Sequence, residues 1–323
     1  MYKSLFYIFG FFWMLAFIIG QCQDDTESLA YSDSEDYDEY IGTHSIKNSS
    51  IPIEENDVKP ILEVDSSKKT KRNRMNLQDL ELIQEIDSNA ILQKEKLEIP
   101  RYMDLVNEQI LVRYGYITSY NNITKCPNWV AWCLTKEHTS GEWSRQGIPY
   151  IEDTEAIEPR QKMTDWRINP QRYDHGHMCP AADNQWSDIA MEQSFYLTNM
   201  CPQNSDLNRD EWADLEKECR KWANIYGELF IVCGPIFYNG KNQTIGGPKE
   251  IWVPDAFFKV ILTLSKTPKA IGFIYPNEYI QGSIKQFVYA VDEVEKVTAL
   301  DFYFNLPDEI EERIESYANL TDW

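Results

Sequence analysis

Three apolar runs of strand length crowd the last third of the chain: ELFIVCGPIF at 228–237, FFKVILTL at 257–264 and AIGFIYP at 270–276. Gly and Pro bound them, so each reads as a strand. GYITSYN at 115–121 and NWVAWCLT at 128–135 add two more by their aromatic and β-branched content. Residues 206–223 have the opposite period: Leu207, Trp212, Leu215 and Cys219 make one apolar helical face. Residues 292–300 and 308–317 read as closing helices, 141–172 as proline-containing loop, and 188–199 fits either element. No repeat is present. Strands and helices are segregated rather than alternating, which predicts an α+β fold.

Charge is unevenly spread. The 323 residues carry a formal net charge of −21, hostile to a nucleic acid if it were uniform. Residues 1–100 hold 19 acidic and 10 basic side chains, and 292–323 hold 10 and 2, so the stretch between is close to neutral. Lys3, the apolar run Leu5–Ile19 and the GQCQDD that follows predict a signal peptide over 1–21 and an exported protein. An uncleaved anchor, or a lipid anchor at Cys22, are the alternatives, although Gln21 is a poor residue before a lipidated cysteine. The six later cysteines, Cys126, Cys133, Cys179, Cys201, Cys219 and Cys233, then predict up to three disulfides. Residues 22–97 read as a low-complexity tether with a possible helix at 76–97: 24–39 is acidic throughout, and SSKKTKRNR is basic. A compact domain is expected over 98–306 and an acidic helix or tail over 307–323. Sequons stand at Asn48, Asn122, Asn242 and Asn319.

The chemistry concentrates in two places. YDHGHMCPAADN, Tyr173 to Asn184, holds two of the four histidines, two carboxylates and a cysteine. His177 is suited to take a proton near neutral pH; Asp174 lies three residues before it, and Gly176 allows a sharp turn between them. Downstream, a continuous helix over 207–220 would put Asn208, Glu216 and Arg220 on nearly one face. An amide oxygen beside a carboxylate suits a hydrated hard cation such as Mg²⁺, and a guanidinium suits a phosphate. With a His base, that set could hydrolyse a phosphodiester. Two other readings fit the same residues. The helix face could be a solvated Glu216–Arg220 ion pair. His175, His177 and Cys179, as H-x-H-x-C on a strand, could bind a transition metal.

The chain reads DHGH at Asp174–His177, NMCPQ at Asn199–Gln203, LN at Leu207–Asn208 and WADLE at Trp212–Glu216. PNWVAWCLT at Pro127–Thr135 and SGEWSR, ending at Arg145, precede them. In that order the motifs resemble the DNA/RNA non-specific endonucleases of the ββα-metal superfamily, the group of the Serratia nuclease and endonuclease G. The likeness runs from about Ile99 to Leu306. It implies a ββα-metal finger packed on a central antiparallel sheet and a sugar-non-specific nuclease of DNA and RNA, with no small-molecule cofactor. It also implies that His177 is the general base and Asn208 the direct ligand of one Mg²⁺, with Mn²⁺ as a substitute. Glu216 orients metal-bound water, Arg145 and Arg220 contact the phosphate, Asp174 orients its loop, and Asn199 holds the geometry. His175 stands where the family has Arg. A permanent cation is lost there, which predicts altered activity, a lower pH optimum, or a weakened nucleic-acid-binding protein that keeps the fold.

Overall fold

The computed structural model describes residues 96–103, 106–238, 243–247 and 250–323. The expectations for the segment 1–21, Cys22, the tether and helix up to residue 95, Asn48 and Asn242 lie outside the described residues. In chain order the strands are β1 (Arg101–Tyr102), β2 (Gln109–Val112), β3 (Ile117–Asn121), β4 (Cys126–Thr135), β5 (Asp174–His177), β6 (Met200–Gln203), β7 (Glu228–Ile236), β8 (Thr244–Ile245), β9 (Ile251–Trp252), β10 (Ala256–Thr263), β11 (Lys269–Pro276), β12 (Val288–Tyr289) and β13 (Leu300–Asp301). The α-helices are α1 (Asp188–Ser194), α2 (Ser205–Arg209), α3 (Glu211–Tyr226), α4 (Val291–Thr298) and α5 (Asp308–Glu315).

The five strands read from sequence are β3, β4, β7, β10 and β11. With β2 and β12 they form one antiparallel sheet, ordered β12-β11-β10-β7-β4-β3-β2. The runs are almost wholly apolar, Lys259 apart, because this sheet is buried on both faces. In β4, Val130, Trp132 and Leu134 enter one core while Trp129 and Ala131 enter the other. In β10, Phe257 and Ile261 share the first face, and Phe258, Val260 and Leu262 the second. The α3 residues Trp212, Leu215, Cys219 and Trp222 cover the first face. Val291 and Val294 of α4, with Ile310 and Ile314 of α5, cover the second. On the first face the chain's end is folded back, with the Trp323 ring 5.0 Å from Trp222.

Three expectations are corrected. Residues 207–220 are not one helix: α2 ends and α3 begins at Asp210, whose φ of −108° and ψ of −95° are not helical. The hydrogen-bond ladder hands over at that residue, Asp210 N–H donating to Asp206 O and Asp214 N–H to Asp210 O. The face argument for Asn208 therefore fails, and tertiary contacts place it instead. Cys126, Cys179, Cys201, Cys219 and Cys233 are free thiols. All five act as small apolar side chains in the first-face core. Gly176 makes no turn: it lies within β5, paired with Cys201 of β6. A Cβ there would fall 2.6 Å from Gln203 Cβ, so glycine is needed for close approach.

Candidate active site

A polar cleft of about 520 Å³ opens over the β5–β6 pair and the start of α3. Arg145, Asp174, His175, His177, Asn208 and Glu216 line it, with Arg209 and Tyr150. Six residues predicted from sequence thus meet in one place. Each is delivered by a different constraint.

His177 ends β5, paired with Met200 of β6. Its ring meets the Phe195 ring edge-on at 5.1 Å, and Phe195 also carries the Arg145 guanidinium 5.6 Å from its centroid. The imidazole Nε2 is buried with no hydrogen-bond partner. Burial first, then Arg145 and His175, pull this imidazole down to about 3, so it is neutral and able to accept a proton. The backbone just beyond is locked by fully buried Asn199. Its Oδ1 accepts from Cys179 N–H at 2.9 Å, and its Nδ2 donates to Cys179 O and Ser194 O, both at 2.9 Å.

Asp174 opens the same strand and does more than orient a loop. It accepts from Asn208 Nδ2 at 2.9 Å and from Arg209 Nε and Nη2 at 2.9 and 2.8 Å. With the amide nitrogen so engaged, the Asn208 carbonyl oxygen is left available as an acceptor or ligand. Asn204 fixes α2 below it by capping, accepting from Asp206 N–H and Leu207 N–H. Glu216, on the first half of α3, reaches the cleft from the opposite side of the helix junction. Burial pushes its carboxyl up to about 7 against the pull of Lys259, with Asp183 adding to the rise and Arg220 and Arg145 opposing it.

Arg220 does not line the cleft. Its Nη1 donates to buried Asp183 at 2.9 Å, and Trp132 Nε1 donates to the same carboxylate at 3.2 Å. The expected Glu216–Arg220 pair is replaced by this one. The guanidinium sits behind Glu216, where it neutralises Asp183.

His175 is held between two rings, Tyr150 at 4.0 Å and Trp166 at 3.7 Å, both nearly parallel to it. Burial pulls it down to about 4, and Asp174 only partly opposes this. It is a neutral stacking plate, so it cannot serve as an acid-range phosphate clamp near neutral pH. Cys179 is fully buried, accepts from Asn184 Nδ2 at 3.3 Å and does not line the cleft. The H-x-H-x-C set therefore does not converge.

Tyr150, Trp166, Arg209, Asp183 and Lys259 were missed in the sequence. Only Lys259 left a signal, as a lone charge inside FFKVILTL. By the period of two it shares the first face with Phe257 and Ile261. It is wholly buried, with Nζ 4.4 Å from the Trp212 centroid and 5.4 Å from that of Trp132, and makes no hydrogen bond. Burial alone would lower this amine; Cys233, Glu216, Cys219 and Asp183 around it push it above its ordinary value instead. It is the buried counter-charge to the carboxylates behind the cleft.

Residues 96–309 match the family model described as DNA/RNA non-specific endonuclease, about two thirds of the chain. The chain belongs to this family. Its relatives within it include a protein named "Nuclease 1, mitochondrial" from Schizosaccharomyces pombe, 34% identical over 215 residues, 61% of this chain and 66% of that one. "Mitochondrial nuclease" of Saccharomyces cerevisiae is 33% identical, over 60% of this chain and 65% of its own. "Endonuclease G, mitochondrial" of Homo sapiens is 27% identical, over 61% and 70%. This endonuclease-family chain thus spans just under two thirds of the length of the two fungal relatives. A crystal structure of the EndoG/EndoGI complex superposes with a TM-score of 0.60 at 27% identity, covering 68% of this chain and 94% of that one. The mitochondrial names of these relatives overturn the exported reading of the N-terminus, and they lend no support to a lipid anchor at Cys22. An apolar run after a single lysine does not by itself distinguish between targeting routes.

Proposed function

We propose that this chain is an endonuclease that hydrolyses phosphodiester bonds in DNA and RNA with one hydrated divalent cation, Mg²⁺ or Mn²⁺. The observation that supports it is the convergence of three groups on one cleft: His177 Nε2, the Asn208 carbonyl oxygen and the Glu216 carboxylate. An amide oxygen and a carboxylate with room for water fit a hard cation that keeps most of its hydration. Asn208 would hold it directly and Glu216 through water. When bound, the cation supplies positive charge for the scissile phosphate and the leaving oxygen.

His177 takes the proton from the attacking water. Its low proton affinity in the empty cleft rises when a phosphate anion enters, because the new charge favours imidazolium. Arg145, carried on Phe195, binds the phosphate; Arg209 continues the positive rim, and Asp174 sets both Arg209 and Asn208. Arg220, Asp183 and Lys259 support Glu216 from behind. The mitochondrial relatives favour a mitochondrial setting, and the five free thiols of the first-face core fit a compartment that does not oxidise them.

Purified protein is expected to nick and degrade plasmid DNA and structureless RNA with millimolar Mg²⁺, and to stop on addition of EDTA. Tight binding without cleavage in either metal would overturn the reading in favour of a nucleic-acid-binding protein that lost catalysis. A second result follows from Glu216. Its carboxyl near 7 must lose a proton to serve the cation, so the proton competes below that value. Half-saturation of cleavage should need several-fold more Mg²⁺ at pH 6 than at pH 8. An unchanged requirement removes Glu216 from the metal's surroundings.

A further inference from the structure

On the far face of the sheet, a second group of oxygen donors converges. Asp292 and Glu295 lie one turn apart on α4, and Glu315 is the last residue of α5. Ligand atoms of the three all lie within 4.8 Å of one another. Glu315 is only 4% exposed, and its Oε1 is buried with no hydrogen-bond partner. Glu295 is already fixed, since its Oε1 accepts from Phe302 N–H at 2.9 Å. Of the cations in the neighbourhood, Arg101 is spent on Asp301 through Nε and Nη2, and Lys296, next in sequence to Glu295, acts on that carboxylate.

From this geometry we propose that Asp292, Glu295 and Glu315 form a Ca²⁺ site that clamps α4 to α5, separate from the cleft. All donors are carboxylate oxygens, with no imidazole or thiolate to select a softer metal. Ca²⁺ binds oxygens at about 2.3–2.6 Å, so one ion reaches donors up to roughly 5 Å apart; the shorter bonds of Mg²⁺ reach only about 4 Å. Water completes the shell on the side of Asp292, which is half-exposed. The case for a cation is geometric: a buried, unpartnered carboxylate oxygen on α5 faces two further carboxylates on α4. With a cation bound, the two helices that close the second core are tied by their acidic ends.

The test is thermal unfolding of the full chain carrying Asn208→Ala, which disables the cleft, in EDTA and in millimolar CaCl₂ or MgCl₂. Ca²⁺ near 100 times its dissociation constant should raise the midpoint by roughly 5–10 °C, and Mg²⁺ should raise it far less. Adding Glu315→Gln, which keeps the shape and removes the charge, should abolish the rise. Asp292→Asn, at the half-exposed edge, should weaken it even if the Gln variant folds poorly. No rise with Ca²⁺, a larger rise with Mg²⁺, or a rise that survives both substitutions overturns the site.

Discussion

His177→Ala is expected to lower the rate of plasmid cleavage by about 10²–10⁴-fold, the range that a positioned general base contributes. The fold should survive. Nε2 has no hydrogen-bond partner, and what truncation removes is an edge-to-face meeting with Phe195 and one hydrogen bond to the His175 backbone. Substrate affinity, read by a fluorescence-labelled oligonucleotide in Ca²⁺, should change little, because Arg145 and Arg209 remain. This separates loss of chemistry from loss of binding. Cleavage within tenfold of wild type would show that another group takes the proton, and the reading of the cleft would have to be rebuilt.

Asn199→Ala should be the most damaging single change to the fold near the site. It leaves Cys179 N–H, Cys179 O and Ser194 O without their partner in a fully buried position. Each such group costs about 1–3 kcal/mol, so a loss of roughly 3–5 kcal/mol is expected in urea unfolding. The three bonds join the chain just past His177 to the end of α1, which carries Phe195. Activity should therefore fall more than stability alone explains at temperatures where the variant is still folded. A destabilisation under about 1 kcal/mol would show that water or a rearranged loop replaces the amide.

Much of the architecture was readable because strands buried on both faces appear in the chain as short runs of apolar, aromatic and β-branched residues. NWVAWCLT and FFKVILTL became β4 and β10 where expected, and DHGH, NMCPQ and WADLE marked the finger and its helix. What failed did so for identifiable reasons. The 207–220 helix was inferred from apolar spacing, which does not see the change of direction at Asp210. The disulfides were inferred from an exported setting that the relatives contradict, and the thiols turned out to fill core volume. The resemblance assigned Arg220 to the phosphate, but Asp183, 37 residues away in sequence, pairs with it.

The motif order alone determined the family and named His177, Asn208, Glu216 and Arg145, because catalysis fixes residue types at spacings that survive in the chain. Tertiary structure alone decided how those groups are tuned. His175 is neutral because Tyr150 and Trp166 enclose it, Asn208 presents its oxygen because Asp174 holds its nitrogen, and Glu216 sits near neutrality between burial and the Lys259 charge. Each of these depends on partners brought from other elements. Proton affinity and amide orientation are set by distance and desolvation, which a linear sequence does not contain.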